Sequence, residues 1–186
     1  MVRAVFLDRD GVINRKLPEG SYVTRWAEVE FLPGGAEAVK CFRDAGFLVL
    51  LVSNQRTIAK GLITQQGLES LHSRMWQELF RGEEGFDGVY CCPHDTDPPC
   101  QCRKPQPGML LAAARDRGID LTASWMVGDS ESDVEAGRRA GCRTIRIGLP
   151  KIRVSTAANE VAGSLQEAAN IILAGESGAS PIPTSR

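Results

Sequence analysis

Nowhere does this 186-residue chain approach the ~20 consecutive apolar residues that a membrane-spanning helix needs. The opening Met-Val-Arg-Ala-Val-Phe-Leu-Asp meets a charge after the short apolar run Ala4 to Leu7, too brief for the core of a signal peptide. A cytoplasmic protein with no membrane contact is therefore expected. An excess of either charge is also lacking. With 22 basic and 23 acidic residues the net charge is -1, so no global field draws nucleic acid or an anionic surface. Internal repeats are missing too. What remains is an ordinary globular composition, 42% hydrophobic, in a length that suits one domain able to bury a sizeable core. No nucleic-acid partner is expected, and a monomer is.

Six cysteines in a reducing compartment call for an explanation other than disulfides. Cys91, Cys92, Cys100 and Cys102 crowd into one short stretch, which favours a metal. Cys41 and Cys142 stand alone and read as packing residues.

Short apolar runs alternate with segments of helical period. Ala4 to Leu7 is apolar at every position and reads as a buried strand. Pro33-Gly34-Gly35 opens a helix over about 36 to 45, ended by Gly46, and 47 to 52 is a second buried strand. Thr64 caps a helix carrying Leu68, Leu71, Met75 and Leu79 at three- and four-residue steps. His72, between those apolar positions, reads as a surface or satisfied core residue. Further strands are expected at 87–91, 125–127 and 144–147, and further helices at 107–117, 130–140 and 164–173. The Gly-, Ser- and Pro-rich stretch 174–186 reads as a disordered tail, leaving 1–173 as one domain. Such alternation implies right-handed crossovers and a mostly parallel sheet covered on both faces, a Rossmann-like α/β/α sandwich. Ligands of such sheets bind beyond the carboxyl ends of the strands.

Every polar motif follows a strand. Asp8-Arg9-Asp10-Gly11 leaves the first one, and carboxylates two apart in extended chain project to one side. Held together they repel, and a hard divalent cation such as magnesium relieves this. One aspartate can then attack phosphorus while the other handles the leaving-group proton. An Asx turn or a calcium loop would use the same residues, although Lys16 to Tyr22 offers a calcium loop only Glu19. Ser53-Asn54-Gln55 ends the second strand and offers donors to a phosphate, or ordinary turn chemistry. Arg103-Lys104 is either a phosphate-gripping pair or an exposed basic one. Gly128-Asp129-Ser130-Glu131-Ser132-Asp133 follows the fourth strand. There Asp129 would complete a magnesium shell with Asp133 behind it, and helix capping is compatible with that.

Cys92-Pro93-His94 and Cys100-Gln101-Cys102 supply three thiolates and one imidazole. Four such ligands with no water position describe a structural zinc site, with His94 as a general base the competing reading. Zinc would fix the loop 91–105, and with it Arg103 and Lys104.

Taken in order, Asp8-x-Asp10-Gly11, Ser53-Asn54, Lys104 and Gly128-Asp129-x-x-x-Asp133 resemble the four motifs of the haloacid-dehalogenase-like (HAD) phosphatases. The resemblance implies Asp8 as nucleophile and Asp10 as acid and base. It implies magnesium held by Asp8 and Asp129 side chains and the Asp10 carbonyl, and phosphate bound by Ser53 and Lys104. The cysteine loop looks like that of the histidinol-phosphatase and heptose-bisphosphate-phosphatase branch, where a zinc-bound loop stands in for a large cap. Asn54-Gln55, Ile58-Ala59-Lys60-Gly61 and Arg103-Lys104-Pro105-x-Pro107-Gly108-Met109 are closer to the D-glycero-D-manno-heptose 1,7-bisphosphate 7-phosphatases, over about residues 3 to 150. Two features depart from that pattern: the gap between His94 and Cys100 is short, as in histidinol phosphatases, and Arg56-Thr57 replaces a small residue and glycine. Arg56, Lys60 and Arg103 are candidates for a second phosphate of a sugar bisphosphate. Histidinol phosphate is the rival substrate. A zinc-stabilised binding module without catalysis is the rival of another class.

Overall fold

A computed structural model describes residues 1–148 and 155–175. Six strands form one sheet: β1 (Arg3–Leu7), β2 (Phe47–Asn54), β3 (Gly88–Cys92), β4 (Trp125–Gly128), β5 (Arg143–Ile147) and β6 (Glu160–Ala162). Their order is β3-β2-β1-β4-β5-β6, and every pairing is parallel. The helices are α1 (Gly35–Asp44), α2 (Gln65–Phe80), α3 (Gly108–Arg117), α4 (Glu131–Ala140) and α5 (Leu165–Ala174).

The continuous apolar runs dictate this arrangement. Ala4, Val5, Phe6 and Leu7 are all fully buried, so β1 must be covered on both faces. Val5 and Leu7 share one core with Ala38, Val39 and Phe42 of α1 and Ala168, Ala169 and Ile172 of α5. Ala4 and Phe6 point the other way, to Met109, Leu110 and Ala113 of α3 and Ala136 of α4. The result is the expected three-layer sandwich, with no cap domain inserted among the described residues. Gly137 shows how close the α4 face lies to the sheet, since a Cβ there would come within 2.7 Å of Met126 and Thr144.

Chain order reverses at β1. After β3 the chain crosses to the far side of β1 to form β4, so crossovers leave β1 and β4 in opposite directions. Leu7 is in register with Leu51 on one side and Val127 on the other. The segments after β1, β2 and β4 therefore meet beyond one edge of the sheet, at the switch point where open α/β sheets hold ligands.

The sequence reading missed β6 and two single-turn 3-10 segments, Trp26–Glu28 and Leu121–Ala123. Three residues ending in Ala162 carry too little periodicity to register as a strand; pairing with β5 makes them one. Ala174, expected to open a tail over 174–186, instead closes α5, and 176–186 lie outside the described residues.

Candidate active site

Asp8 follows β1 directly, and its amide donates to the Val127 carbonyl at 3.0 Å, which ties it to the end of β4. One carboxylate oxygen each from Asp8, Asp129 and Asp133 lies within 4.8 Å of the others. Two residues shape this cluster by having no side chain. Gly11 adopts φ +89°, and a Cβ on it would sit 2.5 Å from Asp129 Oδ2. A Cβ on Gly128 would run into Asp133.

Lys104 lies between the carboxylates, 3% exposed. Its Nζ is 2.8 Å from Asp8 Oδ1 and 2.6 Å from Asp133 Oδ1, and it donates to the Val52 carbonyl at 2.8 Å. All three ammonium protons are thereby engaged. The two carboxylates hold Lys104 well above its ordinary value against the opposing effect of burial. Burial pushes the Asp8 carboxyl up to about 7; Lys104 pulls it back, while Asp133 and Asp10 push further up. Asp133 is fixed from its other side, for Ser130 donates to its Oδ2 from both the backbone amide and the hydroxyl. That capping box makes the start of α4 and the acidic cluster one construction.

Lys16, on the loop after β1, donates to Asp129 Oδ2 at 2.7 Å. Asp129 Oδ1 is buried and accepts no hydrogen bond among the described residues. The site thus holds three carboxylates against two ammonium groups and keeps one buried oxygen unsatisfied. Oxygen-only donors with a surplus negative charge fit a hard divalent cation such as magnesium.

Asp10 lines the same cleft but is not one of the three clustered carboxylates. Its Oδ1 accepts from Asn14 Nδ2 at 2.9 Å and from Arg9 Nε and Nη2 at 3.2 and 3.0 Å, while Oδ2 accepts from Arg9 Nη2 at 2.8 Å.

The expected phosphate ligands are placed as follows. Ser53 is buried at the end of β2 and lines the cleft, its hydroxyl 2.8 Å from the Gln55 carboxamide. Asn54 pins the Lys104 backbone, donating to its carbonyl and accepting from its amide, both at 3.0 Å. Its side chain is therefore committed to positioning Lys104. Gln55 turns inward, 2% exposed, towards Ser53 and Arg9. Arg56 lines the cleft, paired with Asp95 at 2.7 Å. Arg103 lines it as well and donates to the His94 carbonyl at 3.2 Å. Lys60 stands apart from the lining, exposed, with its ammonium 5.3 Å from the centre of the Tyr22 ring. The cleft has a volume of about 280 Å³ and is lined in part by the loop from Lys16 to Val23.

Cys92, His94, Cys100 and Cys102 converge. Cys92 Sγ lies 3.6 Å from Cys100 Sγ and 3.2 Å from Cys102 Sγ, Cys100 and Cys102 are 3.4 Å apart, and His94 Nδ1 is 3.2 Å from Cys102 and 3.6 Å from Cys92. Disulfides need about 2.05 Å between sulfurs, so none is formed. Donors about 2.0–2.3 Å from one shared ion would be separated only slightly more than these are, so the set can hold zinc. Burial pushes the Cys100 thiol up, but the Arg103 amide and the neighbouring thiols outweigh it and bring it down to about 6. Gly108, at the start of α3, lies so close to the Gln101 carbonyl that a Cβ would overlap it, and this packs the loop onto α3.

Two contributors, and the partner of a third residue, escaped the sequence reading. Lys16 has no spacing signal, because only the folded loop brings it to Asp129. Arg9 stood in plain view between the two aspartates but carries no motif of its own. His72 shows helical spacing like its apolar neighbours, and nothing in that period announces a partner 63 positions away.

Comparison with known proteins places these features. The family model described as HAD-hydrolase-like matches residues 101–167. The D-glycero-beta-D-manno-heptose-1,7-bisphosphate 7-phosphatase of Photorhabdus laumondii is 39% identical, over 89% of this chain and 93% of that protein. Its counterpart in Helicobacter pylori strain 26695 is 41% identical, over 74% of this chain and 79% of that one. Among solved structures, the D,D-heptose 1,7-bisphosphate phosphatase of B. bronchiseptica, complexed with magnesium and phosphate, superposes with a TM-score of 0.82. That match has 31% identity and covers 94% of this chain and 99% of the other.

Proposed function

This chain belongs to the HAD-like phosphatases, and from that premise we propose that it removes the 7-phosphate of D-glycero-D-manno-heptose 1,7-bisphosphate through a phospho-aspartate on Asp8. The observation that carries the reading is the convergence of Asp8, Asp129 and Asp133 around Lys104, with Asp10 braced beside them. The names of the relatives support the substrate.

In the first step an Asp8 carboxylate oxygen attacks phosphorus, and the bond from phosphorus to the sugar oxygen breaks. The Asp10 carboxyl gives its proton to that departing oxygen, which leaves as a hydroxyl of the sugar 1-phosphate. In the second step Asp10, now a carboxylate, takes a proton from water as the water oxygen attacks the phosphorus of the acyl phosphate. Asp8 and inorganic phosphate are released, and Asp10 is again protonated. Lys104 offsets charge at the attacking oxygen throughout, and Asn54 keeps its backbone in place. Ser53 lines the cleft wall and Arg103 contributes donors there.

Asp8, Asp129 and the Asp10 carbonyl would hold magnesium, with Asp133 behind them; when bound, the ion supplies positive charge for the nucleophile and the transferring group. Ionising an Asp8 that burial has pushed up to about 7 is what such a charge assists. Cys92, His94, Cys100 and Cys102 would hold a structural zinc that fixes the loop bearing Arg103 and Lys104. Residues 1–173 are read as one phosphatase domain.

A panel comparing both anomers of the heptose bisphosphate with histidinol phosphate tests the substrate. Preference for histidinol phosphate would overturn it. Absence of phosphate release from every substrate, including p-nitrophenyl phosphate with magnesium, would overturn the phosphatase reading itself.

A further inference from the structure

Arg9 is 1% exposed although it is a cation standing between two aspartates of the site. A guanidinium has five N–H donors and no acceptor, so its burial is tolerable only if those donors are satisfied. Nε and Nη2 go to Asp10. Nη1 lies 3.1 Å from His72 Nε2. Gln55 completes the set: with its amide oxygen turned to the donors around it, it accepts from Nη1 and Nη2 at 3.2 Å and from Ser53 Oγ at 2.8 Å.

His72 faces a cation with Nε2, so that nitrogen must be the acceptor and the ring proton sits on Nδ1. Burial and the Arg9 charge together hold the imidazole down to about 3, so it stays neutral at any working pH. The ring is 5% exposed and stacks on Trp76, one turn further along α2, at 5.2 Å and 25°. α2 is in turn anchored by the Thr64 cap and by Leu71 and Met75 packed on Val23.

The distribution of donors on Asp10 is uneven. Oδ1 receives three hydrogen bonds, from Asn14 and twice from Arg9, whereas Oδ2 receives one. Oδ1 is saturated by the fold, and Oδ2 keeps free lone-pair capacity.

We propose that His72, with Gln55, aims Arg9 so that the guanidinium holds both oxygens of Asp10, saturating Oδ1 while Oδ2, with one hydrogen bond, keeps the capacity to transfer the proton. This inference rests on the reading of Asp10 as acid and base. His72 and Arg9 are then positioning residues that act through Asp10: His72 lies outside the cleft lining, and Arg9, although it reaches the cleft wall, is 1% exposed. Without the His72 acceptor, Nη1 loses a partner in a dry site, and the guanidinium rotates to find another. Asp10 turns with it. A phosphate ester with a poor leaving group then suffers most, because it depends on protonation of the departing oxygen.

The test compares kcat/KM for phenyl phosphate and p-nitrophenyl phosphate, using the magnesium-loaded full chain. p-Nitrophenolate leaves readily as an anion, whereas phenol needs the proton far more. Asp10→Asn should lower the phenyl to p-nitrophenyl ratio about tenfold, a modest share of the usual effect of a general acid. His72→Leu should lower it in the same direction, and His72→Gln, which restores an acceptor, should return it to within about threefold of the starting protein. Arg9→Lys, which cannot reach Asp10 and His72 together, should follow His72→Leu and serves if that variant does not fold. Thermal melting identifies folded variants. A ratio that moves in Asp10→Asn but stays constant in the folded His72 and Arg9 variants overturns the brace alone. A ratio unmoved in Asp10→Asn overturns the acid and base reading, and the brace with it.

Discussion

Replacing Gly11 with alanine tests whether the fold itself builds the acidic cluster. Two costs can be separated. The first is conformational: Gly11 adopts φ +89°, where an L-residue loses about 1–2 kcal/mol. The second is steric: the new Cβ would lie 2.5 Å from Asp129 Oδ2, 2.6 Å from its Cγ and 2.9 Å from its Cβ. Carbon contacts are comfortable at about 3.5–4.0 Å, so Asp129 must retreat by about 1 Å. Gly46 isolates the first cost, because it has φ +82° and nothing within 4 Å of a Cβ. Gly46→Ala should lose about 2–8 °C in melting temperature, from about 2–4 °C per kcal/mol in a protein of this size, and Gly11→Ala should lose more because the steric cost adds to it. Only Gly11→Ala should also need more magnesium and lose about 100-fold in kcat/KM on p-nitrophenyl phosphate, the effect of a 1 Å misplacement. Magnesium titrations of activity, paired with melting curves, read both effects. If Gly11→Ala and Gly46→Ala match in midpoint and rate, Asp129 does not hold the ion and the mechanism is wrong.

Asp8→Asn should abolish phosphate release and the acid-stable trapping of labelled phosphate on the protein; a labelled variant protein would displace Asp8 as nucleophile. In chelator, Asp8 should also imprint a pH dependence on stability. Burial raises it from 3.8 to about 7, so between those values the folded protein holds a proton that the unfolded chain releases. Stability then falls as pH rises through that window, by at most about 1.4 kcal/mol per pH unit, and levels off above pH 7. Urea melts should show a steeper fall in the protein than in Asp8→Asn, where Asp129, also raised by burial, still contributes. One zinc per chain should be released on treatment with a thiol reagent, with a lower melting temperature and lost activity; metal analysis and calorimetry check this. Arg56→Ala should raise KM for the bisphosphate more than for a monophosphate, since Arg56 lines the cleft, and equal kinetics on the two would remove it from the second phosphate site.

Much was legible because the signals were local. Buried runs such as Ala4 to Leu7 can only be interior strands, and glycine, threonine and proline punctuate the helices between them. The two-residue spacing of Asp8 and Asp10, and the cysteine pairs around a proline-rich loop, announce their chemistry through neighbours in the chain. Asn54 and Gln55 show where that logic stops. Both lie at the expected strand end, yet Asn54 serves the Lys104 backbone and Gln55 serves Arg9, because the partner across the fold decides which way an amide points.

By itself, then, the sequence determined the layered sheet, the aspartate pair after the first strand and the cysteine–histidine set that could hold a metal, since each depends on residue type and short spacing. Tertiary structure alone decided that β1 lies between β2 and β4, which brings Asp8 beside Asp129. It also decided that Lys16 reaches that aspartate and that His72 meets Arg9 across 63 positions. Contacts of that range depend on how helices and strands dock, and docking is set by the packing of whole faces, which no stretch of chain contains on its own.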